Sequence, residues 1–102
     1  MTADDPKAPR ACVACRVTYR GRVQGVGFRF TVIEFARSFP TVTGHVRNLP
    51  DGDVEVLAEG PAHDVDALLE AVAHGPHERF IRQATAEPVA PTGSFSSFDV
   101  AY

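Results

Sequence analysis

The sequence predicts a single α+β sandwich in the order β-α-β-β-α-β, followed by a short final strand. Three observations predict it. Apolar residues switch between a period of two and a period near 3.6 as the chain advances. Gly and Pro stand at the switches. The length, 102 residues, suits one core and is too short for two.

Val13 to Val23 alternates Val17 and Tyr19 against Thr18 and Arg20, the pattern of a half-buried first strand, and Gly21 to Gly27 is its exit loop. From Phe28 the period lengthens. Phe28, Val32, Phe35, Ala36 and Phe39 fall on one helical stripe that must end before Pro40. Val42, Gly44 and Val46 then alternate with Thr43, His45 and Arg47, and Val54, Val56 and Ala58 do so after Leu49-Pro50-Asp51-Gly52. These are two antiparallel strands joined by a tight turn. Gly60-Pro61 opens a second helix with Val65, Leu68, Leu69 and Val72 on its buried side, and Gly75-Pro76 closes it. Phe80 to Ala86 reads as a fourth strand, Pro88 to Gly93 as a turn-rich linker, and Phe98, Val100 and Tyr102 as the closing strand. The whole is a ferredoxin-like sandwich: a mainly antiparallel sheet of four or five strands with both helices on one face. Residues 1–12 are expected to be a flexible leader and 13–102 the folded domain.

Composition narrows the class. Ten Lys and Arg stand against 13 Asp and Glu, a formal charge of -3, so the chain as a whole is not drawn to nucleic acid or to anionic membrane. No apolar run approaches the roughly 18 residues of a membrane span. The N-terminus has acids where a secretory signal carries positive charge, which leads to the expectation of a cytoplasmic protein. Cys12 and Cys15 form one Cys-x-x-Cys spacing that precedes the first strand, whereas a redox pair usually lies between a strand and a helix. They are expected to be incidental. His45, His63, His74 and His77 have no His-x-x-x-His or carboxylate cluster around them and are expected on strands or on the surface. Asp51 and Glu55 are likewise read as turn and strand-surface residues.

Two motifs can carry chemistry. The first is Gly21-Arg22-Val23-Gln24-Gly25-Val26-Gly27-Phe28-Arg29, a glycine-bearing loop leading into a helix N-terminus. Unpaired N–H groups and the positive end of the helix dipole favour an anion there. Glycines let those N–H groups converge, and Arg29 adds a planar, permanently charged fork suited to phosphate oxygens. The loop lacks the Gly-Lys-Ser/Thr of a nucleotide triphosphate loop and the third Gly of a dinucleotide fingerprint. By spacing alone it could equally be a structural turn.

The second is Gly44-His45-Val46-Arg47-Asn48-Leu49-Pro50-Asp51-Gly52-Asp53-Val54-Glu55. Asn48 keeps the parity of Val42 and Val46, so its amide belongs to the helix-covered face at the end of a strand. It can cap the following turn or serve a ligand. Topology joins the motifs: in this fold the first two strands run parallel with the third between them, so both motifs leave the same edge of the sheet.

Together these two stretches resemble the signature pair of the acylphosphatase family. The resemblance runs from about Val17 to Tyr102 and includes Ala-Glu-Gly-Pro from Ala58 and Phe-Ser-Ser-Phe-Asp-Val from Phe95. It implies a hydrolase that cleaves the carboxyl-phosphate anhydride of an acyl phosphate. It also implies that Gln24, Gly25, Val26, Gly27, Phe28 and Arg29 hold the phosphoryl group, and that Asn48 positions the attacking water, making Arg29 and Asn48 the catalytic pair. Neither a cofactor nor a metal is expected. Inorganic phosphate is expected as product or inhibitor, and no nucleic-acid or membrane partner; the protein is expected to be a monomer. The chain departs from the family pattern at Ser38-Phe39-Pro40-Thr41-Val42-Thr43, one residue longer and without the common Gly, and at His45, where an aromatic such as Trp is frequent.

Two rivals come from the same fold. RNA readers of this shape place aromatics on the open sheet face and carry basic charge, whereas here the aromatics mostly fit buried stripes and the charge is acidic. Hydrogenase-maturation carbamoyltransferases carry Cys-x-x-Cys zinc modules after a similar domain. This chain ends at Tyr102, which favours a free-standing enzyme.

Overall fold

The computed structural model describes residues 12–102. The leader expected over 1–12 therefore lies outside the described residues except for Cys12, which begins the first strand opposite Pro61. The elements run β1 (Cys12–Gly21), α1 (Phe28–Ala36), β2 (Thr43–Asn48), β3 (Val54–Pro61), α2 (Ala62–Ala73), a 3-10 turn (Glu78–Phe80), β4 (Ile81–Val89) and β5 (Phe98–Val100). The order across the sheet is β4-β1-β3-β2-β5. β3 pairs antiparallel with both β1 and β2, so those two run parallel, as expected, with their C-terminal ends at one edge.

One face of the sheet meets both helices. Val17, Tyr19, Val46, Val54, Val56 and Ala58 point there and close on Phe28, Val32 and Ala36 of α1 and Val65, Leu68 and Val72 of α2. The helix stripes are those the sequence predicts, with Phe35, Phe39 and Leu69 only partly buried. α1 is shorter than the stripe suggested. Beyond Ala36 the chain tightens into turns in which the N–H groups of Ser38 and Phe39 donate to Phe35 and Ala36, because Pro40 bars continued helix.

The other face carries charge. Glu55, on β3, receives hydrogen bonds from His45 Nε2 (2.9 Å) and Arg47 Nε (2.8 Å) and pairs with Arg16 at 3.4 Å. Burial pushes its carboxyl up, but those hydrogen bonds and the arginine's charge hold it below the usual glutamate range. Glu55 is thus on a strand face as expected, yet buried at 7% exposure rather than at the surface.

One expectation about the last third of the chain is corrected. Pro88 belongs to β4, opposite Cys15, instead of opening a linker. β4 is an edge strand, where a residue without an N–H is tolerated because one side of the strand needs no partner. Residues 90–97 then cross from the β4 edge to the β5 edge over the charged face. Thr92 N (2.9 Å), Thr92 Oγ1 (2.9 Å) and Gly93 N (3.1 Å) donate to the Glu59 carboxylate, and Phe95 packs edge-on to His45 at 5.7 Å. Burial raises the Glu59 carboxyl, but these donors bring it below the usual range. The strap explains why every β3 residue from Val54 to Gly60 is buried, whereas a strand covered on one side would alternate.

The cysteines lie within β1 and not before it. Three residues apart on a strand, they face opposite sides, which is incompatible with a bridge between them. Cys15 is further from reactivity because burial, then the Asp66 carboxylate, push its thiol up.

Candidate active site

β1 leaves the sheet at Gly21, and Arg22 N donates to Phe80 O at 2.9 Å, fixing where the loop starts. Gly25 (φ 76°) and Gly27 (φ 83°) take left-handed backbone that side-chain-bearing residues rarely adopt. Nothing lies within 4 Å of a Cβ built on either, so conformation and not space requires glycine at both. Between them Val26 turns inward and packs against the core.

The loop ends in an unusual helix start. Gly27 is the N-cap of α1 and offers no side-chain hydrogen bond, and the first turn contains no acid. The free N–H groups and the dipole are therefore not neutralised by the protein itself, and Arg29 in that same turn adds positive charge. Arg29 is half-buried, its guanidinium 5.7 Å from the ring centre of Tyr102.

Gln24 locks this loop to the second motif. Its side-chain amide donates to Leu49 O and to Asp53 O, both at 2.8 Å, so it clamps both arms of the turn that follows Asn48. Asp51 Oδ1 accepts from Asp53 N (3.0 Å) and finishes the turn, as expected for a turn residue.

The clamp brings Asn48 to the loop. Gly25, Gly27, Phe28, Arg29 and Asn48 line one cavity of about 330 Å³. Asn48 is exposed at the end of β2 and neither its side chain nor that of Arg29 makes a hydrogen bond within the described residues. The side chains of Gln24 and Val26 do not line the cavity, so those two residues can contribute only main-chain groups. A larger cleft of about 730 Å³, with Arg20, Arg22, Arg79 and Arg82 on its walls, is lined by neither Arg29 nor Asn48. The polar side chains of Arg29 and Asn48, left without a hydrogen-bond partner among the described residues, converge on the smaller cavity.

Three contributors were not legible in the sequence. Phe30 and Tyr102, the exposed large apolar side chains of the described residues, both stand at this cavity. Its alternation with Phe98 and Val100 places Tyr102 only at the end of a strand. His77, expected on a strand or the surface, is half-buried and touches the loop: its Nε2 is 2.7 Å from Val26 O. The Gly75-Pro76 stop turns the chain back beneath the loop, a contact between residues 51 apart that no periodicity signals. The other histidines behave as expected, with His45 on β2 beside Glu55 and His74 exposed between Glu70 and Glu78. No group of three or more His, Cys, Asp or Glu that could hold a metal ion occurs among the described residues. None of the described helices is long and apolar enough to cross a membrane.

Comparison with known proteins identifies the family and the fold. The family model for acylphosphatase matches residues 15–100. An acylphosphatase of Geobacter metallireducens is 42% identical over 86 residues, covering 84% of this chain and 91% of that protein. The crystal structure of acylphosphatase from Bacillus subtilis superimposes with a TM-score of 0.79 at 33% identity, covering 88% of this chain and 99% of that one. A similar unit also occurs inside a longer chain: T. kodakarensis HypF matches with a TM-score of 0.75 at 28% identity, but only 12% of it is covered. The match across nearly the whole domain, with both motifs inside it, shows that this chain belongs to the acylphosphatase family.

Proposed function

We propose that the cavity between the 24–29 loop and Asn48 hydrolyses acyl phosphates to a carboxylate and inorganic phosphate, with Arg29 and Asn48 as the catalytic residues. Family membership supports the reaction. The observation that carries the assignment of the site is that an unneutralised helix start, a half-buried guanidinium and a carboxamide without a partner among the described residues border one cavity.

The chemistry demands little more. The leaving group is a carboxylate whose conjugate acid has a pKa of roughly 4 to 5, so it departs at neutral pH without a general acid. What the protein must supply is a hold on the phosphoryl oxygens while charge redistributes, and a water in line with the departing oxygen. The N–H groups of Gln24 to Arg29 and the Arg29 guanidinium provide the first. The Asn48 amide oxygen accepts a hydrogen bond from the water and aims its lone pair at phosphorus. The new P–O bond forms as the bond to the acyl oxygen breaks, the carboxylate leaves with the electron pair, and the water's proton passes to a phosphoryl oxygen. No step needs a metal or a cofactor. Phe30 and Tyr102 give the acyl group an apolar wall at the cavity mouth.

Release of phosphate from benzoyl and acetyl phosphate with a chelator present, set beside a phosphate monoester, tests this. Rapid turnover of the anhydrides alone is the expected result. Hydrolysis of the monoester at a similar rate, or abolition by the chelator, would overturn it.

A further inference from the structure

His77 has a position that the reaction itself does not use. It follows the Gly75-Pro76 stop after α2, and its ring is wedged edge-on to Phe28 (5.6 Å) and tilted against Phe80 (5.9 Å). Nε2 lies 2.7 Å from the Val26 carbonyl. A carbonyl can only accept, so Nε2 carries the proton. Nδ1 is buried with no hydrogen-bond partner among the described residues.

We propose that His77 is a positioning residue that orients the Val26–Gly27 peptide so that its N–H faces the phosphoryl group, an inference that rests on the phosphate-binding role given to the loop. The carbonyl of Val26 and the N–H of Gly27 belong to one planar trans peptide and point in opposite directions. Drawing the carbonyl down to the His77 ring therefore turns the N–H outward, on the side where Gly27 lines the cavity. The restraint matters at this bond in particular. Gly27 tolerates either sign of φ, so this peptide can flip at low cost. The flipped form would present a carbonyl oxygen to an anion, which repels it. The aromatic neighbours hold the ring in place, and Phe28 is itself the first residue of α1, so the ring, the peptide and the helix start form one block.

The test compares wild type, His77→Phe, which keeps an aromatic ring but has no donor, and His77→Gln, which returns an N–H. In wild type, nitrogen NMR of the imidazole should place the neutral ring's proton on Nε2. Inorganic phosphate should shift the Gly27 amide. For His77→Phe, phosphate affinity should fall and KM rise by about fivefold to tenfold, the size expected for one hydrogen bond, while kcat changes less. His77→Gln should recover most of that loss. Unaltered phosphate affinity in His77→Phe, an equal loss in both variants, or a wild-type proton on Nδ1 would each overturn the proposal. If His77→Phe does not fold, His77→Gln and the wild-type spectrum decide by the same criteria. The functional reading fails separately: a wild type whose Gly27 amide responds to phosphate but which hydrolyses no acyl phosphate would refute the reaction and leave the His77 contact standing.

Discussion

Both helices lie on the same face of the sheet, yet their N-termini are built differently. α2 starts after Pro61 and carries Asp64 in its first turn, where the carboxylate offsets the positive end of the dipole and accepts a hydrogen bond from Thr41 Oγ1. Neither helix has a side-chain cap, but α1 starts at a left-handed glycine, has no acid in its first turn, and places Arg29 there. By the rule for charges at helix ends α2 is the better neutralised start, and α1 gives up about 0.3 to 1 kcal/mol of dipole stabilisation. The difference teaches where to look for function. A fold satisfies polar groups it keeps for itself, as with Glu55 and Glu59 on the opposite face, and leaves unsatisfied those that a ligand will complete.

Four substitutions can break or sharpen this contrast. Arg29→Lys should have the largest effect, lowering kcat/KM by about a hundredfold or more, because an ammonium cannot reproduce the two-pronged grip of a guanidinium. Steady-state kinetics on benzoyl phosphate measure it, and near-normal turnover would refute the role of Arg29. Asn48→Ala should reduce kcat by about a hundredfold through loss of water placement. Calorimetric titration should show inorganic phosphate still bound as in wild type. Equal loss of binding and turnover would make Asn48 structural instead.

Phe30→Glu converts the start of α1 toward that of α2, since Phe30 and Asp64 each occupy the third helical position. Phe30 is 67% exposed, so the change needs no repacking. Phosphate affinity should weaken by about fivefold while the fold gains about 0.3 to 1 kcal/mol, read from the urea midpoint. A variant that loses affinity and stability together would contradict the contrast. Asp64→Ala, on the other helix, should cost about 0.5 to 1 kcal/mol in the same urea titration and leave kcat/KM unchanged.

The contrast also separates what was legible in the sequence from what was not. Both helix stripes and all five strands show in the apolar period, because each is a local repeat. The meeting of the loop with Asn48 was legible at one remove: parity set the face of Asn48, and two parallel strands must end at the same edge. Contacts made by irregular backbone were not. Glu59 reads as a polar residue of a strand until Thr92 and Gly93, more than 30 positions away, bury it. Pro88 reads as a strand breaker, and only its edge position makes it acceptable. His77 reads as a strand or surface residue, and nothing in its neighbours along the chain announces the Val26 carbonyl.

The crossing segment over the charged face has a reach beyond that face. Val100 and Tyr102 stand at the cavity only because residues 90–97 have carried the chain from one edge of the sheet to the other. The fastening of that segment at Glu59 is on the reverse side of the molecule from the helices. A protease nick between positions 90 and 97 would therefore leave one wall of the catalytic pocket held to the sheet only by the pairing of β5 with β2, with the glycine loop, the guanidinium and the carboxamide still on their own strands and helix, so the rear of the protein governs how firmly its front is enclosed.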